Sequence, residues 1–179
     1  EGRLSDFVKL VVETHVIYPT LFLVYLTEDV ELEIALCEAY NAWLSRVWSQ
    51  GRGRLRWVAV LPLRSVEESL KEMRKAKENG AVGVFFHGLE GDKTLDNPYF
   101  FPVYEQAARL AMPICVHTGS GAPWLIRYFD VARNHTFAHS RVLPLMAFRD
   151  VVANRIPEMF PGIRFGFIEG RNEKAASSV

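Results

Sequence analysis

The stretch MPICVHTGSGAP, residues 112–123, passes from a short apolar run to a glycine-rich loop through a single histidine. The run Ile114–Val116 contains β-branched residues and is bounded by turn formers, a pattern typical of a short buried strand. A lone histidine at the end of a strand is more often a hydrogen-bonded boundary residue than a functional one. The interpretation of His117 therefore depends on whether other strands of the chain end in the same way.

Four further segments have the residue pattern of buried strands. They are residues 16–18, LRWVAVLPL (55–63), AVGVFFHG (81–88) and IRFGFIEG (163–170). Near-continuous apolar runs are expected where a strand is covered on both faces. Together with residues 114–116, they make five predicted strands.

Helix patterns alternate with these strands. Apolar residues recur at helical spacing after Thr27, which is predicted to cap the first helix. Ser65 and Glu68 have the spacing of a capping box for the second helix. The third helix is expected from Tyr99 to Leu110.

The region from about His139 to Met159 also has a helical pattern. Pro144 and Pro157 lie inside it, and proline in a helix interior removes a hydrogen bond and clashes with the preceding turn. We therefore expect this long helix to bend or fray at both prolines.

The alternation of strand and helix predicts an α/β fold, a parallel sheet with covering helices. An open doubly wound sheet and part of a (β/α)8 TIM barrel both satisfy it. A complete barrel needs about 250 residues, and the chain has 179. No glycine-rich phosphate loop marks an open nucleotide-binding sheet. We expect one domain over residues 1–170 and a polar tail over residues 171–179.

The charge balance and the cysteines indicate which partners and which cellular compartment to expect. Lys plus Arg and Asp plus Glu number 21 each, so no global field attracts nucleic acid or an anionic membrane. Both cysteines, Cys37 and Cys115, lie inside apolar patterns, which predicts buried thiols in a reducing compartment, by default the cytoplasm. No apolar run approaches the ~20 residues of a membrane span.

Functional groups of parallel α/β folds collect at the carboxyl ends of the strands. The residues at these ends are Tyr18, Pro62, His87, His117 and Glu169. Three of the five have side chains that bind metals or transfer protons. A further histidine, His139, opens the region before the last strand. Imidazoles and a carboxylate that converge at one edge suit a divalent metal such as zinc.

Each of these residues also has a structural interpretation. His87 could hydrogen-bond a neighbouring loop, and Glu169 could pair with Arg171 or Arg141. His15, before its strand, is expected to be structural or exposed. His135 lies in a polar loop and is expected to be solvated.

Two longer motifs carry a resemblance to a known family. FFPVYEQAARLAMPICVHTG (100–119), followed by MFPGIRFGFIEG (159–170), resembles the amidohydrolase-related (amidohydrolase 2) family. These proteins are metal-dependent TIM-barrel hydrolases and decarboxylases, among them aminocarboxymuconate semialdehyde decarboxylase. The resemblance runs from about Val16 to Gly170 and implies a partial barrel of about strands 2–6.

The resemblance implies roles for five residues. His117 matches the metal-binding histidine at the end of the fifth barrel strand, with zinc expected first and manganese second. Glu169 is expected to be a metal ligand or an acid/base, and His139 a proton donor or substrate contact. Tyr18 and His87 are expected to line the pocket for a small carboxylated or cyclic substrate.

The sequence departs from the family pattern at both ends. The His-x-His pair of the first barrel strand and the metal-binding aspartate of the eighth are absent. We therefore expect a fragment of a full enzyme, and the chain alone could be inactive. The alternative is a non-catalytic barrel fragment or a subunit-interaction module whose exposed sheet edges form a homo-oligomer.

Overall fold

The computed structural model describes residues 12–51, 53–119, 121–129 and 141–169. Its strands are β1 (His15–Ile17), β2 (Leu55–Ala59), β3 (Ala81–Phe86), β4 (Ile114–Val116) and β5 (Phe165–Phe167). Every neighbouring pair is parallel, and the spatial order is the chain order. A doubly wound sheet reverses its strand order at a switch point, and this sheet does not. The sheet curls into half a barrel, so the predicted partial TIM barrel is confirmed.

Helices connect the strands. They are α1 (Val30–Ser49), α2 (Val66–Glu78), α3 (Phe101–Arg109), α4 (Pro123–Ile126), α5 (Leu143–Ala153) and α6 (Ile156–Met159). Short 3-10 turns occupy Leu21–Leu23, Pro98–Phe100 and Arg127–Phe129. None of the described helices is long and apolar enough to cross a membrane.

The helix caps differ from the predicted ones in detail. Asp29, not Thr27, caps α1, because the Asp29 carboxylate accepts a hydrogen bond of 3.1 Å from the Leu32 N–H. Thr27 lies two residues earlier, and its hydroxyl accepts from the Asp29 N–H at 3.0 Å. Ser65 caps α2 as predicted, accepting from the Glu68 N–H at 3.4 Å. Its own N–H donates to a carbonyl of the preceding turn at 2.9 Å, so only half of the capping box forms.

The prolines of the last helical region begin helices instead of bending one. Pro144 lies in the first turn of α5 and Pro157 in the first turn of α6. Proline is tolerated there because the missing N–H has no partner in the first turn of a helix. The helical region is interrupted between Ala153 and Ile156, where Arg155 has a left-handed φ of 56°. The predicted disruption of the helix is therefore present before Pro157, as a break between two helices, whereas Pro144 bends no helix.

The side chains of the sheet divide into two faces. Trp57, Val84, Phe86 and Ile114 belong to the large cluster that packs against the helices. Val58, Val60, Phe85 and Cys115 belong to a second cluster, with Tyr18 and Ile168 beside it. Because side chains alternate along a strand, this second cluster marks the inner face of the half-barrel. Cys37 and Cys115 are free and buried, as predicted.

A buried asparagine fastens α1 to the end of β2. The Asn41 amide accepts from the Val60 N–H at 3.0 Å and donates to the Val60 carbonyl at 2.8 Å. It also donates to the Glu72 carboxylate of α2 at 2.9 Å. Both polar side chains are buried, so these bonds satisfy groups that water does not reach. The Asn41 amide thus takes the place of a strand partner where β2 ends.

Candidate functional site

The predicted strand-end residues lie at one end of the sheet. His87 directly follows β3, His117 directly follows β4, and Glu169 follows β5 by one intervening residue. The strands are parallel, so their carboxyl ends share one edge, as predicted. His87 and His117 each lie two positions beyond an inner-face residue. The alternation of side chains therefore directs both imidazoles to the inner side of the half-barrel.

His117 is held in an orientation that suits metal binding. Its Nδ1 lies 3.0 Å from the carbonyl oxygen of Thr118 and 3.3 Å from the Thr118 hydroxyl. A carbonyl only accepts hydrogen bonds, so Nδ1 carries the proton and Nε2 keeps its lone pair. Within the described residues, Nε2 has no hydrogen-bond partner. The ring therefore presents one free nitrogen lone pair from a side chain that is otherwise buried.

Thr118 joins the histidine to the carboxylate of the next strand. Its hydroxyl donates to Oε2 of Glu169 at 3.0 Å. The same hydroxyl oxygen lies beside the Nδ1–H of His117, which gives a continuous chain from imidazole through hydroxyl to carboxylate. Sequence reasoning missed Thr118. The available signal was its place directly after a strand-end histidine.

Glu169 has an unusual backbone conformation. Its φ is 61°, in the left-handed region, which costs a residue other than glycine about 1 kcal/mol or more. The residue is exposed, and among the described residues it forms no ion pair with Arg141. Arg171, its other expected partner, lies outside the described residues. The structure thus holds an accessible carboxylate beside His117 at some conformational cost.

Tyr18 packs against the ring of His117. The two ring centroids are 5.5 Å apart, and the Tyr18 hydroxyl contacts Sγ of Cys115 at 4.0 Å. Burial, followed by the neighbouring Cys115, raises the pKa of Tyr18 to about 12, so the phenol is neutral at physiological pH. Burial likewise raises the pKa of the Cys115 thiol. Neither group is therefore an ionised nucleophile at neutral pH.

His87 makes hydrogen bonds through both ring nitrogens. Nε2 lies 2.7 Å from the Phe22 carbonyl, and Nδ1 lies 3.0 and 3.1 Å from the two carboxylate oxygens of Glu90. Burial opposes the charged ring, but the Glu90 carboxylate and the Phe22 carbonyl outweigh it and raise the pKa of His87. The loop contact considered from the sequence is thus present. A ring that donates through both nitrogens offers no lone pair to a metal.

The described residues do not form a complete metal site. No group of three or more His, Cys, Asp or Glu side chains in the described ranges is arranged to hold an ion. His117 and Glu169 supply one nitrogen and one carboxylate near each other. His139, the predicted proton donor or substrate contact, and His135 lie outside the described residues.

A cavity of about 380 Å³ adjoins these residues. Its walls come from the loop of residues 22–27, the first two turns of α1 and the segments after β2 and β3. Most of the lining is apolar, and its polar members are Thr27, Glu33, Arg64, His87, Glu90, Asp92 and Lys93. His87 belongs to the wall of this cavity. Sequence reasoning missed Glu33 and Arg64, which have the pattern of ordinary helix and loop charges.

The chain matches the sequence model of a known family over most of its length. That model, described as Amidohydrolase, covers residues 15–171. The chain belongs to this amidohydrolase family. A curated relative, 2-amino-3-carboxymuconate-6-semialdehyde decarboxylase of Dictyostelium discoideum, is 28% identical over 90 residues. That alignment covers 50% of this chain and 24% of the relative.

Solved structures of amidohydrolase-family decarboxylases share the fold. The 2,6-dihydroxybenzoate decarboxylase from Rhizobium superposes with a TM-score of 0.80 at 18% identity, covering 93% of this chain and 55% of its own. A dihydroxybenzoic acid decarboxylase from Polaromonas, with bound manganese and the inhibitor 2-nitroresorcinol, gives a TM-score of 0.74 at 18% identity, with 93% and 53% covered. This chain thus spans about half the length of these structures, and its aligned half matches about a quarter of the curated relative.

Proposed function

We propose that this chain carries part of the catalytic centre of a metal-dependent amidohydrolase-type carbon–carbon lyase, a decarboxylase of a small carboxylated, cyclic substrate. One observation carries the proposal. Nδ1 of His117 hydrogen-bonds the Thr118 carbonyl, and its Nε2 has no partner among the described residues. The Thr118 hydroxyl donates to the carboxylate of Glu169. The named relatives favour decarboxylation over the hydrolysis that the family also performs.

His117 and Glu169 are the proposed metal ligands. An imidazole nitrogen and a carboxylate oxygen suit zinc, and they also suit manganese, which one structural relative binds. When bound, the divalent ion supplies positive charge that stabilises a negatively charged substrate. Catalytic zinc normally has three protein ligands. The donor types therefore fit, and the remaining ligands must come from outside the described residues.

The neighbouring side chains have proposed roles of their own. Thr118 positions His117 and Glu169, because its carbonyl and hydroxyl contact both side chains. The alternative role proposed for Glu169 is to hold or move a proton at its exposed carboxylate. Tyr18 remains a neutral phenol and lines the pocket beside His117. His87 lines the adjoining cavity, and His139 remains the proposed proton donor.

The proposal extends to the protein as a whole. Residues 1–170 are proposed to form one barrel part and residues 171–179 a polar tail, in a protein of the cytoplasm that forms homo-oligomers. The competing proposal is a non-catalytic fragment or a subunit-interaction module. It is supported by the unpaired outer edges of β1 and β5 among the described strands. Metal binding separates the two, since an interaction module needs no ion.

Calorimetric titration with Zn²⁺ and Mn²⁺ tests the metal-binding role of His117. We expect weak binding by the unmodified chain, loss of most of it in His117→Ala, and little change in the control His135→Ala. Binding should also weaken as the pH is lowered, because protons compete with the metal for its ligand atoms. Equal metal affinity in the unmodified chain and His117→Ala would contradict the proposal.

A further inference from the structure

The cavity beside His87 has the size and lining of a small-molecule site. Its volume of about 380 Å³ exceeds that of a single aromatic ring, and pockets that bind small molecules start near about 300 Å³. Five aromatic residues line it: Phe22, Tyr25, Phe85, Tyr99 and Phe100. Leu61 and Leu63 add aliphatic wall from the segment after β2. An apolar ring or a short aliphatic chain would therefore pack against this lining.

Arg64 is positioned in this wall by stacking. Its guanidinium carbon lies 4.7 Å from the ring centroid of Tyr25, within the range of a cation–π contact. Its Nε atom is 3.9 Å from Oε2 of Glu33, at the outer limit of an ion pair. The two terminal nitrogens have no hydrogen-bond partner among the residues described here. They form the planar fork that binds carboxylates in a bidentate way.

The other charges of the cavity are already paired. Glu90 holds the His87 ring, and Asp92 bonds Lys93 at 2.6 Å. Glu33 is the remaining carboxyl group, and burial raises its pKa to about 7, with Glu90 adding to the shift and the Arg64 N–H opposing it. Near neutral pH, Glu33 is therefore often uncharged. Arg64 is then the one cation of the described lining that lacks a full counterion.

We propose that this cavity binds a small monocarboxylic acid, with its carboxylate on the terminal nitrogens of Arg64 and its ring or short aliphatic body against the apolar wall. One negative charge matches the one unneutralised cation. The apolar lining matches the body of the acid. The proposal rests on the proposed function, because this is the cavity that His87 lines there, and it adds Arg64 as the group that binds the carboxylate. Neither His117, Glu169 nor a metal takes part in that contact.

Benzoate is the probe, and benzyl alcohol, which has the same ring without the charge, is its control. Methyl NMR spectra of the full 179-residue chain are recorded during titration in the presence of EDTA, so that the metal proposal has no part in the outcome. We expect saturable shifts of the Leu61 and Leu63 methyl groups with benzoate. Benzyl alcohol should bind at least about tenfold more weakly, as expected for loss of a charge-assisted hydrogen-bond pair.

Two variants locate the carboxylate. Arg64→Met should weaken benzoate at least about tenfold and leave benzyl alcohol unchanged, which also reports that the cavity is intact. The matched control is Arg46→Met, an exposed arginine on α1, which should bind benzoate like the unmodified chain. Equal affinity for the two probes, or equal benzoate affinity in Arg64→Met, would overturn the proposal. Spectral changes with benzoate that leave the Leu61 and Leu63 methyl resonances unshifted would also overturn it.

A third variant tests the charge argument. The titratable and charged groups that face Glu33 are Arg64, Glu90, Cys37 and Tyr99. At pH 8 Glu33 is mostly ionised and competes with the acid for Arg64. Glu33→Gln keeps the shape without the charge and should therefore tighten benzoate binding severalfold at pH 8. Weaker binding in this variant would contradict the proposed arrangement.

Discussion

At the scale of single residues, the glycines after His117 are explained by a neighbouring ring. A Cβ atom added to Gly119 would lie 2.5 Å from the His87 ring, and one added to Gly121 would lie 2.7 Å from it. These distances are shorter than side chains tolerate, so the backbone of the loop can approach His87 only without side chains. The two glycines therefore allow the loop to pack closely against the paired His87 ring.

The Glu33 carboxyl should make stability depend on pH. Its folded-state pKa of about 7 exceeds its ordinary value of 4.5, so the folded state retains a proton that the unfolded chain has lost. The stabilising contribution is complete below about pH 4.5 and is lost as the pH rises through about 7. The free energy of unfolding of the unmodified chain should fall over this range relative to that of Glu33→Gln. Urea unfolding at pH 5 and pH 8 measures both, and a pH-independent difference would contradict the assignment.

At the scale of secondary structure, periodicity predicts the elements well and their ends poorly. The alternation of periods locates the five strands and the three helices α1 to α3. Helix ends depend on which nearby polar group reaches the free N–H groups, and Asp29 does so where Thr27 was expected. Pro157 lies in the first turn of α6 because Arg155, directly before α6, adopts a left-handed conformation that ends the preceding helical segment. No periodicity indicates this conformation.

The contact between α1 and the end of β2 gives a second prediction. Asn41→Leu keeps most of the side-chain volume but leaves the Val60 N–H and carbonyl, and one Glu72 oxygen, without their partner. Unpaired buried polar groups cost about 1–3 kcal/mol each, so the three lost bonds predict a loss of at least about 3 kcal/mol. Denaturant unfolding measures this loss. The control is Ser49→Ala at the exposed end of α1, where the hydroxyl bonds only its own helix, and similar stabilities of the two variants would contradict the role of Asn41.

At the scale of the whole molecule, the half-barrel leaves two strand edges unpaired. In the described sheet, β1 and β5 each pair on one side only, and parallel strands are normally covered on all sides. The order of the strands could be predicted because strands that are consecutive in the chain are neighbours in the sheet. The common edge of His117 and Glu169 follows from that order. The cavity could not, because Arg64, Glu33 and His87 meet only through tertiary packing of three separate loops and helices.

The open edges should promote association. We expect the chain to form dimers or larger species at micromolar concentrations, since pairing of β1 or β5 satisfies backbone groups that otherwise face solvent. Sedimentation velocity over a hundredfold range of concentration measures this association. A stable monomer with one cooperative unfolding transition across the whole range would show that the half-barrel needs no partner.

The central claim is that His117 is poised to bind a metal through Nε2, and NMR spectroscopy of the imidazole nitrogens tests it most directly. Two-bond ¹H–¹⁵N correlations identify which ring nitrogen carries the proton. Without metal at pH 8, we expect His117 to be the tautomer protonated at Nδ1, because the Thr118 carbonyl accepts that proton. Addition of Zn²⁺ should shift the Nε2 resonance of His117, and the His87 resonances should move far less. A His117 ring protonated at Nε2, or an Nε2 resonance that Zn²⁺ leaves unchanged, would contradict the claim.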